Sequence, residues 1–183
     1  MKSIRILHRL PDRQAILQVY AVIAVMFSAW TINAFLWKLS AWLLVLNIGE
    51  IFTIFSYAMV ANLIEGLIVL LLLLGICILL PAFFRDHFVV RGTILAVGLI
   101  GSLMAFVKFH MEFGINSGVR LLNAPLTVWL LTAILLAIPS RWGCVRSLHA
   151  AIRWASDRTI VFLYILVPLF AIVLAYAIFR NIL

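Results

Sequence analysis

Long runs of apolar residues, separated by short segments rich in arginine, constrain this chain more than any other feature. The run from Ile68 to Leu80 consists mostly of leucine, isoleucine and valine. About 20 apolar residues in helical form cross ~30 Å of hydrocarbon. With 67% hydrophobic and 11% charged residues among 183, a soluble domain would have too little polar surface to cover itself. The sequence therefore predicts an all-α, polytopic transmembrane helix bundle that forms a single integral membrane domain over residues 1–183.

Five segments are predicted to span the membrane, and two more are predicted to be amphipathic helices in its interface. The predicted spans are residues 15–37, 62–82, 92–113, 121–138 and 159–179, and the predicted interfacial segments are residues 40–58 and 141–157. In the first interfacial segment Asn47, Glu50, Thr53 and Tyr57 recur every three or four residues and so share one helical face. For residues 40–61 a re-entrant hairpin broken near Asn47 is an alternative that the sequence leaves open.

The positive charges predict the orientation of the bundle. Ten of the 14 Lys and Arg fall in segments 1–14, 83–91 and 140–158, which five crossings place on one side. Because cytoplasmic segments carry the excess of Lys and Arg, we expect the N-terminus in the cytoplasm and the C-terminus outside an inner or plasma membrane. A sixth crossing at 40–61 would move six of those ten charges outside, so we exclude it. This distribution leaves no basic surface for a duplex, and nucleic acid is not an expected partner.

Four ionisable residues in the predicted spans are candidates for a polar site: Glu65, Lys108, His110 and Glu112. A charge inside a membrane is costly unless it is paired or reaches the interface, so such residues are the default functional candidates. Lys108 and Glu112 are one helical turn apart and can pair, and Glu65 can reach them if the second and third spans pack together. The predicted topology places all four near the outer face. A site near a quinone head group or a proton path is one interpretation, but the sequence favours interfacial side chains with a structural ion pair.

The third span also carries a stripe of small residues, Gly98, Gly101, Ser102 and Ala105. Small residues four apart let two helices approach closely where lipid removes the hydrophobic driving force. The pattern predicts a helix-packing face without indicating its partner.

No catalytic, cofactor-binding or metal-binding motif stands out. The chain lacks a phosphate loop, a Cys-x-x-Cys pair and a His-Glu-x-x-His helix. His110 has no second histidine on its side of the membrane for a haem, and Asp12, Asp86 and Asp157 lie in three different loops. We therefore assign no catalytic residue, no metal and no cofactor, expect no enzymatic activity, and expect bound lipid.

These observations favour a non-catalytic accessory or structural subunit of a larger membrane protein complex. Its expected partners are the lipid bilayer and other membrane subunits, and the expected host is a respiratory or photosynthetic electron-transfer complex. The alternative is a small transporter or channel that works as an oligomer, with the outer-side polar cluster along its path. Fold-level analogy is the basis for both, because no residue pattern selects a function.

Overall fold

The computed structural model describes residues 11–80, 84, 87–113, 118–137 and 143–182, with side chains for all of these except 109–113, 118–124, 137, 143–146 and 182. These residues form five α-helices: α1 (Arg13–Trp42), α2 (Ile48–Leu79), α3 (Phe88–Phe113), α4 (Gly118–Ala137) and α5 (Gly143–Ile182). The predicted all-α class is confirmed.

Four of the helices are long and apolar enough to cross a membrane. They are the segments Arg13–Trp42, Ile48–Leu79, Phe88–Lys108 and Ser147–Asn181. In α4 the apolar stretch is shorter and covers Pro125–Leu136. These helices are consistent with a polytopic helical membrane protein.

Helix α2 differs from the prediction for residues 40–58. Helix α1 continues to Trp42, and α2 begins at Ile48 and runs without interruption to Leu79. A capping box marks this start, because the backbone N–H of the N-cap residue Asn47 donates to the Glu50 carboxylate at 2.9 Å. No proline follows within α2, so each further residue adds a hydrogen bond to a helix already nucleated. The turns that carry Glu50, Thr53 and Tyr57 therefore belong to the long helix α2. Neither a separate interfacial helix nor a re-entrant hairpin forms.

The predicted interfacial segment 141–157 is also part of a longer helix. Its described residues are the first turns of α5, which has 40 residues. A helix of that length measures about 60 Å, twice the thickness of the hydrocarbon core. Because the apolar part of α5 begins only after Arg158, its basic first turns are still predicted to lie at the membrane surface.

Helix α1 lies at the centre of the bundle and packs on two faces. One face buries Val19, Ile23 and Phe27 against α2 and α3. The other buries Ala21 and Ala24 in a cluster with one residue of α2 and four of α5, namely Met59, Leu163, Leu166, Phe170 and Val173. Lipid is as apolar as these side chains, so close contact at small residues contributes more here than removal of apolar surface from water.

Helix α4 runs antiparallel to α3, with Thr132 opposite Gly98 and Val128 opposite Gly101. A Cβ added at Gly98 would overlap the Thr132 side chain, whereas one at Gly101 would meet Val128 Cγ1 at 3.7 Å. The buried Ser102 hydroxyl donates to the Leu99 carbonyl at 2.8 Å within α3. The structure thus places α4 against the two glycines of the small-residue stripe.

We predict that Gly98→Ala destabilises the protein, because the new methyl group must displace Thr132 or separate α3 from α4. Overpacking of this kind costs about 1–3 kcal/mol, so the melting temperature in mild detergent should fall by several degrees. Gly75→Ala in α2 is the matched control, since nothing lies within 4 Å of its added Cβ. The control should melt at or slightly above the wild-type temperature, because alanine favours helix. Partial recovery in a Gly98→Ala, Thr132→Ala double variant would assign the effect to this contact, and an unchanged melting temperature for Gly98→Ala would contradict it.

Candidate functional site

A first group of interhelical hydrogen bonds ties the starts of α1 and α3 to α5. Gln18 Nε2 donates to Asp157 Oδ1 at 3.2 Å, and the buried hydroxyls of Thr93 and Ser156 lie 3.2 Å apart. We call Gln18, Asp157, Thr93 and Ser156 the first polar layer. On the predicted topology it lies at the cytoplasmic boundary of the membrane.

A second group joins the start of α2 to the end of α5. Arg180 Nη1 donates to Thr53 Oγ1 at 2.6 Å, and the Tyr57 hydroxyl donates to Asn181 Oδ1 at 3.1 Å. Thr53, Tyr57, Arg180 and Asn181 form the second polar layer, at the opposite end of the bundle.

The distance between the two layers follows from a partly buried hydrogen bond between them. Thr31 Oγ1 of α1 donates to Asn62 Oδ1 of α2 at 2.9 Å. Thr31 lies 13 residues from Gln18 along α1, and Asn62 lies nine residues from Thr53 along α2. At the helical rise these separations are about 20 and 14 Å, so the two layers are about 33 Å apart. That spacing matches the ~30 Å of a hydrocarbon core.

Glu65 lies near the middle of this slab. It is three residues beyond Asn62 in α2, which places it about 15 Å from the first polar layer and about 18 Å from the second. Its side chain is exposed on the surface of the bundle and forms no hydrogen bond or ion pair with any described residue. The predicted span starts at residue 62 and so puts Glu65 near the outer face. Because α2 begins 14 residues earlier, Glu65 lies about four turns further into the helix than that span implies.

Lys108, the other member of the predicted cluster whose side chain is described, does not pair with Glu65. Lys108 is exposed on α3, 15 residues beyond Thr93 and therefore about 22 Å from the first polar layer. Neither a hydrogen bond nor an ion pair joins it to Glu65. His110 and Glu112 are in α3, but their side chains lie outside the described residues. The Lys108–Glu112 pair stays a prediction.

An apolar groove lies between α1 and α3 at the depth of Glu65. It has a volume of about 330 Å³ and is lined by Met26, Ala29, Trp30, Asn33 and Met104. The four α1 residues are within about one and a half turns of Thr31, whose bond to Asn62 marks the mid-depth of α2.

A polar cavity of about 610 Å³ opens at the first polar layer, between the starts of α1 and α3 and the basic turns of α5. Its lining includes eight polar or aromatic side chains, namely Asp12, Gln14, Gln18, His87, Phe88, Arg153, Trp154 and Asp157. The cavity therefore combines a cation, two carboxylates, an imidazole and an indole at the membrane boundary.

One wall of this cavity is cationic. The rings of His87 and His149 have their centroids 5.9 Å apart, and Nδ1 of His87 is buried without a hydrogen-bond partner among the described residues. Arg153 supplies the permanent positive charge of this wall.

The other charged groups of the cavity are the carboxylates of Asp12 and Asp157. Asp157 is one helical turn from Arg153, yet the described structure contains no ion pair between them. The two opposite charges therefore remain separately accessible to a ligand that carries both signs.

Sequence reasoning missed this cavity because its residues come from segments far apart in the chain. Gln18 and Asp157 are separated by 139 positions, and Asp12 and Asp157 were interpreted as isolated loop residues. The available signal was the alignment of His149, Arg153 and Asp157 at four-residue spacing on one face of a basic helix.

Comparisons of the chain with protein-family models, with curated proteins and with solved structures give no match. Among the side chains that the structure describes, no three His, Cys, Asp or Glu residues come together as a metal site would require. The interpretation of both Glu65 and the cavity therefore depends on their own geometry.

We predict that Glu65 reacts with a lipid-soluble carbodiimide and only slowly with a water-soluble one, because it is exposed at mid-membrane depth. Glu50, exposed in the first turn of α2, is the internal control and should show the reverse preference. Peptide mass spectrometry after labelling in native membranes measures both sites. Faster labelling of Glu65 by the water-soluble reagent would contradict the assigned depth.

Proposed function

We propose that this protein is a non-catalytic accessory or structural subunit of a larger membrane complex, and that it binds its partner through the outward face of α2. This face contains Ala61, Glu65, Ile68 and Leu72, which are exposed and follow one another at helical spacing. The observation that carries the proposal is the exposed carboxyl group of Glu65, which lies about midway between the two polar layers and has no partner among the described residues of its own chain.

The energetics favour a partner helix at this position. An ionised acidic side chain at the centre of a bilayer costs roughly 3 kcal/mol in insertion experiments, and pairing reduces that cost. A Lys or Arg near the midplane of a neighbouring subunit would supply the opposite charge. Ala61, one turn from Glu65, leaves room for close approach of that helix. The groove beside Trp30 and Met104 provides an apolar contact at the same depth.

In this proposal all five helices cross the membrane. The antiparallel contact of α4 with α3 returns the chain toward the first polar layer, where the first described turns of α5 lie. The first polar layer faces the cytoplasm and the second faces outward, in an inner or plasma membrane, because most of the basic residues lie on the first side. The candidate host is still the respiratory or photosynthetic electron-transfer complex expected from the sequence.

Cysteine labelling tests this orientation. Val45 lies in the turn next to the second polar layer and Trp154 lies beside the first, and both are well exposed. In a background without Cys77 and Cys144, a membrane-impermeant maleimide should label Val45→Cys in intact cells. Trp154→Cys should react only after permeabilisation. The opposite pattern would overturn the orientation.

Co-purification tests the assembly proposal. The tagged protein should be isolated from its native membrane in mild detergent together with stoichiometric partner subunits. Glu65→Leu should weaken that association by roughly 3- to 30-fold, the range expected for loss of one polar contact between membrane helices. The melting temperature of the isolated subunit should not fall, because Glu65 has no partner within the described chain.

Two further variants test whether the charge of Glu65 is what the partner recognises. Glu65→Gln keeps the shape but removes the charge, so it should lose binding if the partner group is a cation. Glu50→Gln makes the same change at the exposed start of α2 and keeps an acceptor for the capping box, so its partner yield should equal that of the wild type. Wild-type partner yield in Glu65→Leu would refute the assembly proposal. A homo-oligomer without other subunits would favour the transporter alternative, in which Glu65 lines a path between copies.

A further inference from the structure

An apolar groove lies next to the polar cavity along α1 and α5. The groove has a volume of about 320 Å³, lies between α1 and α5, and is lined by Leu17, Ile160, Leu163, Tyr164, Val167 and Pro168. Its first residue on α5 is Ile160, one turn beyond Asp157 of the cavity. The cavity and the groove therefore follow one another along the same pair of helices.

A single stripe of α5 side chains runs through both. Arg153, Asp157, Ile160, Tyr164 and Val167 are spaced by four or three residues and share one helical face. The character of this stripe changes from charged to apolar at the depth of the first polar layer. From Asp157 to Val167 the helix rises about 15 Å, which is half of a ~30 Å hydrocarbon core. The groove thus has the depth of one leaflet.

We propose that the cavity and groove together bind one aminophospholipid, with its head group in the cavity and an acyl chain along the groove. The phosphate binds Arg153, beside the His87 ring that lines the same cavity. The primary amine binds the carboxylates of Asp157 and Asp12. The acyl chain covers the apolar side chains that line the groove, from Leu17 on α1 to Pro168 on α5.

The charges of the cavity select the head group. A purely anionic head group would place its negative charge beside two carboxylates, where like charges repel. A choline head group carries a quaternary ammonium that cannot donate a hydrogen bond to Asp157 or Asp12. Phosphatidylethanolamine has both a phosphate for Arg153 and an ammonium that donates to carboxylates. The volume of the cavity lies within the usual range for small-molecule sites.

The experiment uses delipidated full-length protein in mixed micelles at equal mole fractions of phosphatidylethanolamine, phosphatidylglycerol or phosphatidylcholine. Ligands that bind only the folded state raise the melting temperature. We expect phosphatidylethanolamine to raise it by several degrees, and the other two lipids to raise it less. Native mass spectrometry should retain one phosphatidylethanolamine per protein. Soluble phosphoethanolamine at the same concentration should give no shift, because it leaves the groove empty.

Variants test the head-group cavity and the acyl-chain groove separately. Arg153→Gln and Asp157→Asn each remove one charge, and the side-chain amide oxygen introduced by the second change still accepts the hydrogen bond of Gln18. Each variant should lower phosphatidylethanolamine affinity roughly tenfold or more. Val167→Trp should fill the groove and reduce lipid retention without lowering the melting temperature of the delipidated protein. Lys38→Gln is the control, since Lys38 is exposed near the far end of α1, and it should bind like the wild type.

Three results would overturn the proposal. The first is equal stabilisation by phosphatidylglycerol or phosphatidylcholine, which would remove the role of the paired charges. The second is equal stabilisation by soluble phosphoethanolamine, which would make the ligand water-soluble. The third is wild-type affinity in both charge variants. None of these results depends on Glu65, so the lipid site and the assembly proposal can fail separately.

Discussion

Hydrocarbon offers no hydrogen-bond partners, and this constraint governs the whole bundle. Backbone groups are satisfied within helices, and polar side chains must either pair between helices or leave the membrane. Apart from Glu65, the described structure follows this constraint with two polar layers about 33 Å apart and a partly buried bond between α1 and α2, from Thr31 to Asn62, between the layers. These contacts fix the relative depth of α1, α2 and α5.

The length of α2 has the largest functional consequence. Its capping box at Asn47 and Glu50 starts the helix at one polar layer, and the helix then continues past the midplane. Glu65 therefore lies in the middle of the slab between the two polar layers. At the interface its side chain would have reached water. The sequence predicts that Glu65 is an interfacial charge. In the structure Glu65 has no partner among the described residues.

The protein has two separate polar features in different settings. Glu65 lies on the outward face of α2 at mid-depth, where another helix can supply a charge. The cavity around Arg153 and Asp157 lies at the first polar layer, where head groups of the adjacent leaflet are concentrated. The first feature supports the proposed assembly with membrane partners, and the second supports the proposed lipid binding. Both proposals use one physical principle: a charge near hydrocarbon is stabilised by a partner of opposite sign.

The sequence by itself determined the helical class, four of the membrane spans in outline, and the clustering of basic residues at one end of the helices. Those properties depend on local composition, because lipid selects apolar helices one segment at a time. Only the tertiary structure decided the depth of Glu65, the contact of Gly98 with Thr132, and the cavity that joins Gln18 to Asp157. The depth of a residue depends on where its helix begins relative to the neighbouring helices. A cavity forms only where side chains from distant segments meet. The composition of a single span determines neither property.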